Sequence, residues 1–345
     1  MPEPTLRHYR WDVDKTYIHT EFDTTRDLIR AWRQRPEDKR NIPGAPALLR
    51  ELLHDEPDHR RVTFISGSPR QMEKVLRQKF ALDGIEPDAF ILKPNLQNVL
   101  TLRLRAVRSQ VGYKLGALLD SREPNAAEFL FGDDSEQDAF IYSLYADMLT
   151  QDVGVDELQE ILTACALYQG EVERLVARYL AATPDRGRVQ RVFIHLDRRS
   201  PVSRFIPYGP RVVPVYNYFQ AALVLFDMRV LDDRALVRML EAMHAEGYTA
   251  TRLANSLQDL VRRGYLKLTA TRKVRDALKV HASATGPGRA TTIVDELQDV
   301  LRTLKRPAER TALVDERPDY LSLIERHRYR RPTDAATGRQ WLQDP

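Results

Sequence analysis

The feature that most constrains this chain is an alternation running through its first 200 residues. Short apolar stretches with the period of a strand are followed by stretches with the period of a helix. The strand-like segments are residues 8–13, 61–66, 88–93, 127–131 and 190–196. Helical spacing starts at Pro46 (Leu48, Leu49, Leu52, Leu53), runs from Gln71 to about Phe80, and links Ile141, Leu144, Tyr145 and Met148. One long helix is expected from about Val155 to Ala182. Such alternation predicts an α/β fold: a parallel sheet of about five strands with helices on both faces. Residues 62–65 form a continuous apolar run, as a strand covered on both sides should. His8 and Arg10 interrupt the first strand, which is therefore expected to be partly solvated on one side or to start later.

After Asp197 the pattern changes. Residues 200–214 carry Pro and Arg and read as a loop. Helices are expected over 215–228, 233–245 and 251–263, with Gly264 as a stop. Residues 265–269 alternate like a strand. The division expected is an α/β region over 1–200, a helical accessory region over 201–282 and a polar tail over 283–345. The tail holds one short helix near 293–304 and is mobile or draped over the body after about Pro307. The helix–helix–strand order in 232–269 suits an accessory layer or a winged-helix-like nucleic-acid module. A basic cluster follows at Arg326-His-Arg-Tyr-Arg-Arg331.

Several classes are excluded. The longest apolar run, Ala221 to Phe226, is far short of the about 20 residues that span a bilayer. The N-terminal stretch has no apolar core of a secretory leader. Cys165 is the one cysteine, so no disulfide can form within the chain and a cytoplasmic location is expected. The 53 basic against 49 acidic residues leave a net charge of +4, which permits phosphate-bearing partners without requiring them.

Three polar clusters stand at the ends of strand-like segments, where open α/β sheets bind ligands. In Trp11-Asp-Val-Asp-Lys-Thr16, Asp12 and Asp14 alternate to the same side. Two ionised carboxylates this close need a cation, so they suit a metal site or an acid/base pair. In Phe64-Ile-Ser-Gly-Ser-Pro69, Ser66 and Gly67 sit between a strand and a helix and suit an oxyanion. In Phe129-Leu-Phe-Gly-Asp-Asp-Ser-Glu-Gln-Asp138, a hydrophobic strand empties into Asp133, Asp134 and Asp138.

The order and spacing of Asp12-Val-Asp-Lys-Thr16, Ser66, Lys114 and Gly132-Asp133 with Asp138 resemble the four motifs of haloacid-dehalogenase (HAD)-like phosphohydrolases. Asn41-Ile-Pro-Gly44, Ile65-Ser-Gly-Ser-Pro69 and Gly132-Asp-Asp-Ser-Glu-Gln-Asp138 are similar to the catalytic domain of actin-patch-type phosphatidate phosphatases. The resemblance covers roughly residues 8–200. The chain departs from that narrower pattern at Lys15, where an acidic residue is usual, and at Gly67, where Asn is usual.

The resemblance implies a Rossmann-like core and a phosphomonoesterase in which Asp12 attacks phosphorus and Asp14 serves as acid and then base. It implies Mg²⁺ held by Asp12, Asp14 (through its carbonyl) and Asp133. Asp138 is implied to position Lys114 or a water on the metal, and Asp134 is an alternative ligand. Ser66, Gly67 and Lys114 would bind the phosphoryl group. Short segments between the motifs imply a minimal cap and an open site. That favours a bulky phosphorylated substrate, such as a lipid head group. A nucleic-acid-associated phosphatase and a non-catalytic phosphate-binding scaffold are the alternatives. His19 is a candidate for the substrate entrance, the His54-Asp-Glu-Pro-Asp-His59 stretch reads as a solvated loop, and Cys165 reads as a core thiol.

Overall fold

The computed structural model describes residues 6–20, 34–54, 57–93, 106–135, 137–182, 187–284, 293–303 and 311–329. Among these residues, six strands form one all-parallel sheet: β1 Arg7–Trp11, β2 Arg60–Pro69, β3 Ala89–Lys93, β4 Ala127–Asp133, β5 Arg188–His195 and β6 Val212–Val215. Their order is β3-β2-β1-β4-β5-β6. The order reverses between β1 and β4, and a crevice opens at such a reversal beyond the strands' carboxyl ends.

The sheet has six strands rather than five. β6 takes up the end of the segment expected to be a loop and Val215, the expected start of a helix, which begins instead at Tyr218. The strand is four residues long and contains Pro214, which offers no N–H to a ladder. An edge position beside β5 tolerates that loss.

The helices are α1 Ala45–Leu52, α2 Glu73–Leu82, α3 Ala106–Asp120, α4 Asp138–Leu149, α5 Val155–Ala164, α6 Gln169–Ala181, α7 Tyr218–Asp227, α8 Asp233–Ala245, α9 Ala250–Arg262, α10 Ala270–Ala284, α11 Ile293–Thr303 and α12 Tyr320–Tyr329. None of the described helices is long and apolar enough to cross a membrane. The two faces of the sheet bury two separate cores. One unites Trp11, Phe64 and Phe131 with residues of α1, α2 and α7 to α11. The other unites Ile65, Leu130 and Val192 with residues of α3 to α6 and α12.

Four local expectations are corrected. First, the helix expected over 155–182 is broken. Cys165 caps α5, Ala166 takes a positive φ of 62°, and the Tyr168 N–H donates to Glu171 at 3.2 Å as α6 begins. Second, residues 265–269 form a turn rather than a strand, and α10 follows. Its buried Ala270, Val274, Ala277 and Leu278 carry a helical spacing. Third, β1 is neither late nor solvated. It is paired on both sides, and His8 and Arg10 are fully enclosed. Fourth, the tail carries a second helix beyond the one expected near 293–304: α12, whose Tyr320 is buried with its hydroxyl on the Asp147 carboxylate. Parts of the expected cap (21–33 and 94–105) and of the basic cluster (330–331) lie outside the described residues.

Candidate active site

β1 ends in a tight turn that gathers the first cluster. The Asp12 N–H donates to the Phe131 carbonyl at 2.9 Å, tying the start of the turn to β4. Lys15 takes a positive φ of 60°, and the Tyr17 and Ile18 N–H groups both donate to the Val13 carbonyl at 2.9 Å. The Thr16 hydroxyl donates to Asp12 Oδ2 at 3.3 Å. Residues 39–42 run back beside this turn: the His19 N–H donates to the Arg40 carbonyl and the Ile42 N–H to the Tyr17 carbonyl, each at 2.8 Å.

The turn faces the end of β4 and the start of α4. Carboxylate oxygens of Asp12, Asp133 and Asp138 lie within 4.8 Å of one another, all buried. Lys114 on α3 reaches between them, with Nζ 3.1 Å from Asp12 Oδ1 and 2.5 Å from Asp138 Oδ1. Asp138 Oδ2 accepts the Asp133 N–H at 3.2 Å, which locks the first turn of α4 against the last residue of β4. That approach explains Gly132: a Cβ there would fall on the Asp138 side chain, 2.6 Å from its Cβ. Three carboxylates against one ammonium leave an excess of buried negative charge. A set of hard oxygen donors with that excess fits a hard divalent cation.

Asp14 turns elsewhere. Its Oδ2 accepts from the Ser68 hydroxyl at 3.0 Å and the Ser66 hydroxyl at 3.3 Å, while Ser66 Oγ accepts the Ser68 N–H at 3.0 Å. Its carboxylate is therefore not in the acidic trio, unlike those of Asp12, Asp133 and Asp138. Gly67 has open space where a side chain would project. Asp134 is committed to its loop: its two oxygens accept the Arg198 and Ser200 N–H groups at 2.8 and 2.9 Å. Its carboxylate is not part of the acidic trio. His19, His54 and His59 are exposed, and Cys165 is buried in the second core.

Three residues of this region escaped the sequence reading. Lys39 is buried. Burial holds its ammonium below the usual lysine range, with the Asp14 carboxylate opposing that shift. Tyr218, at the start of α7, donates its hydroxyl to the Thr16 carbonyl at 2.5 Å. Burial, together with the Asp133 and Asp12 charges, pushes its pKa well up and keeps it a donor. His195 stacks on Tyr218 at 5.7 Å, and its Nδ1 lies 3.0 Å from the Lys15 carbonyl. A carbonyl only accepts, so Nδ1 carries the proton. Burial, the largest influence, lowers the His195 pKa and keeps the ring neutral. None of the three lies in a motif with a spacing of its own, so only packing reveals them. Gly44, in the Asn41-Ile-Pro-Gly stretch, also serves this contact. It has a φ of 80°, and a Cβ there would meet Met243 Sδ at 2.5 Å.

Each strand end thus delivers its cluster to one crevice at the sheet's reversal. Residues 11–155 match the family model Phosphatidate phosphatase APP1, catalytic domain. The match supports an APP1-like family and points to a phosphatase. It begins on the last residue of β1 and ends at the first residue of α5. Asp12, Asp14, Ser66, Lys114, Asp133 and Asp138 all fall inside it. β5 with His195, β6 and α7 with Tyr218 fall outside the APP1 match. No curated protein and no solved structure matches the chain.

Proposed function

We propose that this chain is a Mg²⁺-dependent phosphomonoester hydrolase of the HAD type, with a Rossmann-like core, acting on phosphatidate-like or other bulky phosphorylated substrates. The observation that carries the reading is the buried arrangement of Asp12 with Lys114, Asp133 and Asp138 at the reversal between β1 and β4. The APP1 match supports a phosphorylated lipid as the substrate class.

In this reading Asp12 attacks phosphorus. A P–O bond forms to its carboxylate as the P–O bond to the ester oxygen breaks. Asp14, held by Ser66 and Ser68, gives its proton to the leaving alkoxide. It then takes a proton from the water that attacks the aspartyl-phosphate, releasing phosphate and restoring Asp12. Ser66, the Gly67 amide and Lys114 bind the phosphoryl oxygens, and Lys114 offsets the charge that collects there. Asp12, Asp133, the Asp14 carbonyl and Asp138 are the groups that would hold Mg²⁺. The ion supplies Lewis-acid neutralisation between a carboxylate nucleophile and a phosphate dianion. Lys39 supplies a further cation beside Asp14.

The nucleic-acid alternative rested on a helix–helix–strand order and on the basic cluster at 326–331; residues 265–269 form a turn, and the cluster lies partly outside the described residues. The test is phosphate release with and without Mg²⁺ from phosphatidate in mixed micelles, soluble phosphomonoesters and phosphorylated oligonucleotides. Mg²⁺-dependent release is expected, with phosphatidate the best substrate. Asp12→Asn should lower it at least about a thousandfold while the chain stays folded, because the nucleophile is lost. Full activity in Asp12→Asn excludes Asp12 as nucleophile. Release from oligonucleotides alone would favour the nucleic-acid reading.

A further inference from the structure

One layer below the acidic cluster, β1 buries a second charged group that the chemistry above does not use. Side chains alternate along the strand, so Arg10 points to the same side as Asp12. Arg10 is 1% exposed and spends its guanidinium on several elements. Nη1 donates to the Leu118 carbonyl at 2.8 Å and Nη2 to the Ser121 carbonyl at 2.7 Å, both at the C-terminal end of α3. Nε lies 3.1 Å from Glu128 Oε2 on β4. Glu128 Oε1 in turn accepts the Tyr145 hydroxyl of α4 at 3.0 Å, and the guanidinium lies 5.3 Å from the Tyr145 ring centre.

The elements joined in this way are the ones that carry the candidate site. β1 leads directly into Asp12, two residues after Arg10. α3 holds Lys114, one turn before Leu118. β4 holds Asp133, five residues after Glu128. α4 holds Asp138, seven residues before Tyr145.

A buried ion pair contributes little net stability compared with apolar residues of the same volume. A guanidinium does offer geometry that an apolar residue cannot: a planar fork with donors in fixed directions. Two of its donors hold the carbonyls at the end of α3, Nε donates to His8 Nδ1 at 3.4 Å within β1, and the charge faces Glu128 on β4 across the ion pair. The C-terminal carbonyls of a helix also attract a cation. Lys114 sits 2.5 and 3.1 Å from its two carboxylates, so a slide of α3 by about 1 Å would break that contact, and misplacement on that scale can cost about a hundredfold in rate.

We propose that Arg10, braced by Glu128, is a positioning residue that sets the axial position of α3 and so places Lys114 between Asp12 and Asp138. The inference rests on the phosphatase reading for its kinetic consequence, but not for its structural one.

The test uses the full chain and removes the charges together. Arg10→Met strands the Glu128 carboxylate and should destabilise strongly, whereas Arg10→Met/Glu128→Gln should regain most of the lost melting temperature. In the double variant, kcat for p-nitrophenyl phosphate should stay 10- to 100-fold below wild type while KM moves less than threefold, assayed well below the melting temperature. Arg10→Lys should not restore kcat, because one ammonium cannot span two carbonyls and Glu128. The second readout needs no activity. In ¹⁵N-lysine-labelled protein, the buried Lys114 Nζ signal, assigned by its loss in Lys114→Arg, should shift or broaden in the double variant. Wild-type kcat in the double variant overturns the inference whatever the signal does. If the wild-type chain releases no phosphate, the phosphatase reading falls and the Lys114 signal alone decides: an unchanged signal overturns the inference.

Discussion

The two sides of β1 make opposite use of the same five residues. Tyr9 and Trp11 face an aromatic core. Trp11 stacks on Phe131 at 4.0 Å with ring planes 11° apart and lies 5.4 Å from Tyr218, while Phe131 continues to Phe193 at 5.0 Å. His8, Arg10 and, just beyond the strand, Asp12 face the other way and form a polar column through an otherwise apolar layer. His8 meets the Thr63 hydroxyl at 2.9 Å, Arg10 meets Glu128, and Asp12 meets Lys114. The aromatic side gains free energy from area and packing, which need no particular partner. The polar side breaks even only if every group finds its partner on a neighbouring element, so it specifies geometry more than stability. A central strand enclosed on both faces can support both roles at once.

The largest expected effect on stability comes from the aromatic side. Trp11→Ala should cost about 3–5 kcal/mol, read as a lower midpoint of denaturant unfolding. A loss below about 1 kcal/mol would break the comparison, since the stacked rings would then not be the main support of β1.

The polar side should reveal itself through pH. Burial lowers the His8 pKa from 6.5 to about 2, with the Arg10 and Arg61 charges adding to the shift. Between those values the unfolded chain takes up a proton that the folded chain refuses. Stability from this group is therefore complete above pH 6.5 and falls as pH drops towards 2, by about 1.4 kcal/mol per pH unit. His8→Gln should flatten the acid limb of the stability profile between pH 6 and 4 by about one proton. An unchanged slope would show that His8 does not titrate on unfolding.

The smallest effect sharpens the comparison where the two sides meet. Tyr218 packs on the aromatic side and donates to the carbonyl of Thr16 in the Asp12 turn. Tyr218→Phe keeps the ring and removes one buried hydrogen bond, so it should cost about 1 kcal/mol. Its kcat should fall more than that of a control change on the surface of α8. Unchanged stability and kcat would mean that the C-terminal helices merely cover the sheet.

Much of the site was legible because chemistry and local pattern coincide. Asp12, Ser66 and Asp133 follow apolar stretches, so strand period alone places them at carboxyl ends. Lys114 and the part given to Asp138 came from the resemblance to the HAD-like motif order. Long-range effects were harder to read. His8 and Arg10 looked like interruptions because a linear pattern does not show that Thr63, Glu128 and two α3 carbonyls stand ready to satisfy them. β6 was hidden by its length and by Pro214, and α10 by a short alternating stretch ahead of it. Asp134 was indistinguishable from Asp133 in sequence. It was separated only by the Arg198 and Ser200 N–H groups that hold it.

By itself, the sequence determined the alternation of strands and helices, the strand ends that carry acids and hydroxyls, and the absence of any internal disulfide. These properties follow from side-chain period and residue chemistry within about a dozen neighbours. Tertiary structure alone decided which carboxylates converge, that Asp14 turns to Ser66 and Ser68, and that Tyr218 and His195 brace the turn from about 200 residues away. Those choices depend on strand order and on hydrogen bonds between distant elements. Burial makes an unpaired group so costly that partners, rather than local preference, set the position of each charge.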